Sequence, residues 1–125
     1  MGNNLVTAVV AISLSVAVPA FAHHSFAAFD RTHQLQVTGT VKEWQWTNPH
    51  TWLFVTVSKV GFAPSDYSFQ GYNPAELPRF GITRNKFKVG DRVVVTYFPR
   101  KDGAHGGQFV GVVFATGAPT ASNAQ

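Results

Sequence analysis

The sequence predicts an all-β domain, a five-stranded barrel of the OB type with a short helix between the third and fourth strands. Five short segments with apolar residues at alternate positions are separated by turn signals. The first segment contains Gly39, and a glycine-bent first strand can pair with two neighbours. Asn73 and Pro74 follow the third segment and are typical of the cap and first position of a helix. A small β-sandwich is the alternative architecture.

The five predicted strands differ in length and composition. They cover residues 35–46, 51–59, 67–72, 92–98 and 109–116. Gly39 is expected to form a bulge or a sharp bend, and the glycine-rich residues 100–108 are expected to form a hairpin loop. Alternation along the longer strands predicts a core that includes Val37, Val41, Leu53, Val55, Val93, Val95, Val112 and Phe114.

The first part of the chain has the features of an export signal. Residues 5–18 are uncharged and largely apolar, a run shorter than the roughly 20 residues of a spanning helix. Ala20-Phe21-Ala22 then places small residues where signal peptidase requires them. Residues 1–22 are therefore predicted to be a cleaved signal peptide. The remaining domain, residues 23–116, is expected to be periplasmic or secreted and to have no stable membrane span. A retained N-terminal helix is the alternative.

The amino-acid composition excludes some classes of function and disfavours others. The chain has no cysteine, which excludes thiol chemistry and cysteine-based zinc sites. Its 10 Lys and Arg against 6 Asp and Glu give a net charge of +4 without any basic run, so a dedicated polyanion site is not indicated. Nucleic acid is not expected as a partner outside the cytoplasm. The small, polar residues 117–125 are predicted to be a disordered tail.

Several segments resemble a family of small exported bacterial proteins of unknown function. They are H-H-S-F-A-A-F-D from His23, V-T-G-T-V-K-E-W-Q-W-T-N-P-H-T-W from Val37, P-A-E-L-P-R-F-G-I-T-R-N-K-F-K-V-G-D from Pro74, and P-R-K-D-G from Pro99. The resemblance implies export and a small β-fold, but no activity. Family members often carry an acidic residue on the third strand where this chain has Gln70, so no carboxylate chemistry is implied there.

The histidines are candidates for a metal site. Cleavage after Ala22 would make His23 the first residue, whose α-amine and imidazole can chelate one ion. His50 is the best further ligand, because the preceding Asn-Pro turn fixes where its strand begins, while His24 faces away or supports a ligand. Copper(II) favours such nitrogen ligands. The alternative is that these histidines are solvated or cap backbone groups, as is expected for the surface residues His33 and His105.

The three tryptophans are candidates for ligand contact. Trp44 and Trp46 are two residues apart on one strand and share a face, and Trp52 is expected to lie across from them. Such a face can stack on bases or sugar rings. Packing in the core is the alternative use of these rings.

Enzymatic activity is not favoured. The acidic residues show no paired spacing, and the nucleophile-elbow, P-loop and zinc-protease motifs are missing from the sequence. Two hypotheses remain. One is a non-enzymatic exported binding module for a small molecule, metal ion or protein partner. The other is a copper-dependent redox protein that uses His23 as chelate, for which the chain offers few polar groups to surround the metal.

Overall fold

Five strands form a closed barrel in this computed structural model, which describes residues 27–116. The strands are β1 (Leu35–Gln45), β2 (Trp52–Val57), β3 (Ser65–Gln70), β4 (Arg92–Pro99) and β5 (Gly106–Phe114). Their order around the wall is β1-β2-β3-β5-β4, and β4 pairs with β1 to complete the ring. All neighbours are antiparallel except β3 and β5. This order confirms the predicted OB-type barrel and excludes the sandwich.

The first strand belongs to both sides of the barrel. Thr40 pairs with Arg92 of β4 and with Thr56 of β2, and the two halves of β1 follow these different partners. The bulge predicted at Gly39 is not there, because the ladder to β4 is regular and the register shift falls at Lys42. Gly39 instead permits close approach, since a Cβ at this position would lie 2.9 Å from the carbonyl oxygen of Thr56.

The barrel interior contains the residues that alternation predicts, with one exception. The core includes Val37, Val41, Leu53, Val55, Val93, Val95 and Val112. Phe114 was expected in the core but is 46% exposed. It lies at the last position of β5, where its ring packs against Phe87 at a centroid distance of 5.8 Å and beneath the ammonium of Lys86. A strand end has neighbours on one side only, so alternation overestimates its burial.

The helix between β3 and β4 is shorter and later than predicted. Asn73 accepts hydrogen bonds from the amides of Ala75 and Glu76, but these close a turn and do not start a helix. A 3₁₀ helix (Leu77–Phe80) follows, and Gly81 ends it in the left-handed conformation. Pro78 has no N–H to donate, so it fits only the first turn of a helix and delays the start.

The last strand begins earlier than predicted. Gly106 and Gly107 were assigned to a loop, yet both are buried in β5. A Cβ on Gly106 would overlap the carbonyl oxygen of Ser68, and one on Gly107 would overlap that of Phe98. The two glycines therefore allow β5 to enter between β3 and β4 at a separation that a side chain would prevent.

The described residues that precede β1 are docked on the barrel. Phe29 is buried and forms a β-bridge with Arg100, and the amide of Asp30 donates to the carbonyl of Pro99 at 2.8 Å. Within residues 27–116 no helix is long and apolar enough to cross a membrane. The predicted signal peptide, the predicted tail at residues 117–125, and His23 and His24 lie outside the described residues.

A candidate ligand-binding face

Three ring side chains share the outside of the barrel wall along β2. Alternation places Leu53, Val55 and Val57 in the core, so Trp52 and Phe54 point outward. His50 lies two residues before Trp52, and the residue between them, Thr51, is fully buried. Trp52 and Phe54 are therefore on one side of the strand, and together with His50, which precedes it, they are called the outer stripe below.

The rings of the outer stripe are partly exposed and arranged for stacking. The centroids of Trp52 and Phe54 are 6.4 Å apart with an interplanar angle of 23°. Neither ring is among the residues packed on the core. The cross-strand partners of Trp52 are Gln45 on β1 and Gln70 on β3. Ring surface and amide groups thus lie side by side.

The imidazole of His50 is held by the backbone. Its Nδ1 is 3.3 Å from the carbonyl oxygen of Gly71, and its own carbonyl accepts a hydrogen bond of 2.8 Å from the hydroxyl of Thr47. The Asn48-Pro49 peptide bond is cis. When Nδ1 carries the proton that it donates to Gly71, Nε2 is the nitrogen with a lone pair.

Trp44 and Trp46 face the other way from Trp52. Trp44 pairs with Leu53, its indole N–H donates to the carbonyl of Arg84 at 3.0 Å, and its ring meets Phe87 edge-on at 5.3 Å. The ring of Trp46 packs on Trp44 at 5.7 Å. The expectation that Trp44 and Trp46 share a face is therefore confirmed.

The expectation that Trp52 lies across from that pair is wrong. The register of the β1–β2 hairpin places Trp52 opposite Gln45, one position away from the Trp44–Leu53 pair. A one-residue offset moves a side chain to the opposite face of a sheet. The tryptophans are consequently divided between the barrel end and the outer stripe.

A row of amide side chains continues from Trp52 across the wall. Gln70 pairs with Trp52, and Gln108 pairs with Gln70 in the parallel ladder between β3 and β5. Gln70 is only 7% exposed and Gln108 only 1%, although the residues of β3 and β5 that belong to the core are their chain neighbours Phe69 and Phe109. The Gln108 Oε1 is buried and makes no hydrogen bond within the described residues. An acceptor in this state costs stability unless a donor is supplied.

The charged groups around this face are mostly paired. Lys42 and the hydroxyl of Thr56 both donate to Asp66, and these hydrogen bonds lower the pKa of that carboxyl below its ordinary value. Glu43, opposite Phe54, accepts a hydrogen bond of 2.7 Å from Gln45. Lys42 is thus engaged in an ion pair, and the carboxylates of Asp66 and Glu43 lie beside the outer stripe.

Arg100, which follows β4, is also paired with a carboxylate. Arg100 donates from Nε to Asp102 at 2.9 Å and from its terminal nitrogen to the other carboxylate oxygen. These hydrogen bonds lower the pKa of Asp102 to about 2. Arg100 therefore offers little positive potential to a bound anion.

Within residues 27–116, no group of three or more histidine and acidic side chains is placed to hold a metal ion. His33 is exposed and lies near Asp30, with 3.5 Å between Nδ1 and a carboxylate oxygen. His105 is exposed and stacks on Tyr67 with a centroid distance of 4.6 Å. Of the predicted ligands only His50 is described, so the set with His23 and His24 stays a prediction.

Sequence reasoning missed Phe54, Gln70 and Gln108 as members of this face. Phe54 could have been found, because it has the same parity as Trp52 on a strand whose positions of the opposite parity are all aliphatic. The two glutamines belong together only through the parallel pairing of β3 with β5, which joins distant parts of the chain.

Comparison with known proteins identifies the family of this chain but assigns no activity to it. No curated protein matches the chain. Among solved structures, a small single-stranded DNA-binding protein from Streptomyces coelicolor is similar over 70% of this chain and 96% of its own, with 14% identity and a TM-score of 0.45. The model of a family of unknown function, DUF6152, matches residues 11–109. The chain therefore belongs to DUF6152, a family of unknown function.

Proposed function

We propose that this protein is an exported, non-enzymatic binding module that holds a ring-bearing small molecule against the outer stripe. The observation that carries the proposal is the position of Trp52 and Phe54 on the outside of the barrel, beside His50 and away from the core. Partly exposed rings give up favourable burial, and a stacked ligand restores it. The outer face of the second and third strands is also where OB barrels commonly bind ligands.

The binding test uses a panel of neutral oligosaccharides, nucleosides and flat aromatic compounds, titrated into the full chain by calorimetry. At least one compound is expected to bind, and Trp52→Ala is expected to weaken its binding at least about tenfold, a loss of about 1.4 kcal/mol. Val113→Ala is the matched control, because Val113 is 62% exposed on β5, away from the stripe. Equal affinity in the Trp52→Ala and Val113→Ala proteins would remove the stripe as the binding site.

Export is part of this proposal and rests on the apolar run at residues 5–18 and on Ala20-Phe21-Ala22. The protein should be recovered from the periplasm or medium with a mass corresponding to a chain that begins at His23. Recovery from the cytosol with residues 1–22 attached would contradict export while leaving the binding face to be tested separately.

A second candidate function is copper-dependent redox chemistry. The observation in its favour is the contact between the His50 Nδ1 and the Gly71 carbonyl oxygen, which orients the imidazole ring. The α-amine and imidazole of His23 would complete a three-nitrogen set, with His24 beside it. We rank this candidate second because, of these ligands, only His50 lies in the described part of the chain.

Copper titration separates this candidate from the first. His50→Ala, and a form with one extra residue ahead of His23, should each bind copper more weakly than the chain that begins at His23. His105→Ala is the matched control, since it removes an exposed imidazole elsewhere. Copper affinity should also fall as the pH is lowered, because a protonated imidazole cannot bind a metal ion. Equal copper affinity in all the proteins would rule out the chelate.

A further inference from the structure

We infer that the ligand of the outer stripe is a chain of linked, uncharged sugar rings that lies along β2. This inference rests on the proposed binding function and names its ligand class. It depends on the spacing of the rings, on the polar groups beside them and on the charges around them.

The spacing of the aromatic rings fits a linear chain of rings. Side chains at alternate positions of a strand are about 6.7 Å apart, and the centroids of Trp52 and Phe54 are separated by 6.4 Å. This separation is comparable to the length of one pyranose unit in an extended oligosaccharide. One sugar can therefore place its C–H face on Trp52 while the next unit lies on Phe54, and a single sugar can cover only one of the two rings.

The polar groups beside the stripe match hydroxyl groups. Gln45 and Gln70 flank Trp52, and Ser68 and Glu43 flank Phe54. Amides and hydroxyls both donate and accept hydrogen bonds, and a sugar hydroxyl does the same. A row of mixed donors and acceptors next to apolar rings is suited to a polyhydroxylated ligand.

The charges argue against a phosphate chain on this face. Binding of nucleic acid depends on Lys and Arg side chains that neutralise phosphates. Lys42 is paired with Asp66, Arg100 is paired with Asp102, and Glu43 places a carboxylate opposite Phe54. A polyanion would meet repulsion from Glu43 and would have to displace these ion pairs. An uncharged chain meets neither obstacle.

The experiment measures binding of the full chain to cellohexaose, maltohexaose and chitohexaose, with glucose and a dT octamer as comparisons. At least one hexasaccharide should bind at least about tenfold more tightly than glucose, because it covers both rings. Its affinity should be the same in about 50 mM and 200 mM salt, unlike that of a phosphate-dependent ligand. Trp52→Ala and Phe54→Ala should each weaken binding about tenfold, and Val113→Ala should not.

Two further measurements keep the test decisive. Trp52→Phe retains a ring and should retain most of the affinity, which separates stacking from a folding defect. Tighter, salt-dependent binding of the dT octamer through Trp52 would overturn the sugar assignment and leave the binding face standing. Trp52-dependent binding of a flat aromatic compound without any saccharide binding would do the same. If no compound depends on Trp52, the sugar assignment and the proposed function both fail.

Discussion

Replacing Gly107 by alanine should destabilise the barrel more than its small size suggests. Gly107 lies between Phe69 of β3 and Pro99 of β4 in the two ladders that β5 makes. An added methyl group would overlap the carbonyl oxygen of Phe98 and lie 2.9 Å from its carbonyl carbon. These atoms belong to the backbone and cannot rotate away, so the strands themselves must separate.

The expected loss follows from this separation. Overpacking costs about 1–3 kcal/mol, and about two weakened ladder hydrogen bonds cost about 1 kcal/mol each, so the free energy of unfolding should fall by roughly 3–5 kcal/mol. With a urea m-value of about 1.5 kcal/mol/M, the unfolding midpoint should fall by about 2–3 M.

Gly111→Ala is the control in the same strand. A Cβ at Gly111 meets nothing within 4 Å, and neither glycine has a left-handed backbone. This substitution should therefore be neutral or stabilising by up to about 1 kcal/mol, through the lower entropy of the unfolded chain. Urea unfolding followed by circular dichroism measures both variants. A Gly107→Ala midpoint equal to that of Gly111→Ala would refute the close approach of β5 to β4.

Three other predictions concern the core, the surface charges and the barrel end. Val55→Ala should lower the free energy of unfolding by about 1–3 kcal/mol, because Val55 is fully buried, and an unchanged urea midpoint would show that the core face is misassigned. The folded-state pKa of Asp102 is lowered to about 2 from 3.8, so its stabilising effect is present above about pH 4 and is lost as pH falls toward 2. The melting temperatures of Asp102→Asn and the parent protein should therefore differ most at neutral pH and converge near pH 2, and a constant difference would disprove the linkage. Trp44→Phe removes the hydrogen bond to the Arg84 carbonyl and should lower stability by about 0.5–1.5 kcal/mol, whereas Trp52→Phe should change it little. Equal urea midpoints for these two tryptophan variants would contradict their assignment to opposite faces.

Alternation along the strands predicted the barrel because burial on one face leaves a direct trace in the sequence. Val37, Val41, Leu53 and Val55 all lie where this pattern places them. Alternation is less informative at glycine positions, because glycine has no side chain that marks the face of the strand. Gly106 and Gly107 suggested a loop because their absent side chains also suit turns, and only the neighbouring strands show that close approach is their role.

The candidate face was only partly predictable for a different reason. The position of Trp52 depends on hairpin register, and the residues between β1 and β2 do not specify that register in the sequence. Gln70 and Gln108 are brought together by a contact between segments far apart in the chain. Local patterns carry no information on such a contact, so the row of amides required the structure.

The parallel ladder between β3 and β5 has a consequence for the motions of this protein. It pairs only three positions, Ser68 to Gln70 with Gly106 to Gln108, whereas β2 and β3 pair over six. Local opening starts where the fewest contacts must break, so we expect amide hydrogens to exchange first along this ladder. The outer stripe lies on β2, between β1 and β3, which are joined to it by successive hairpins. The barrel can therefore open along a line that separates Gln108 from Gln70, while Trp52 and Phe54 keep their places on β2.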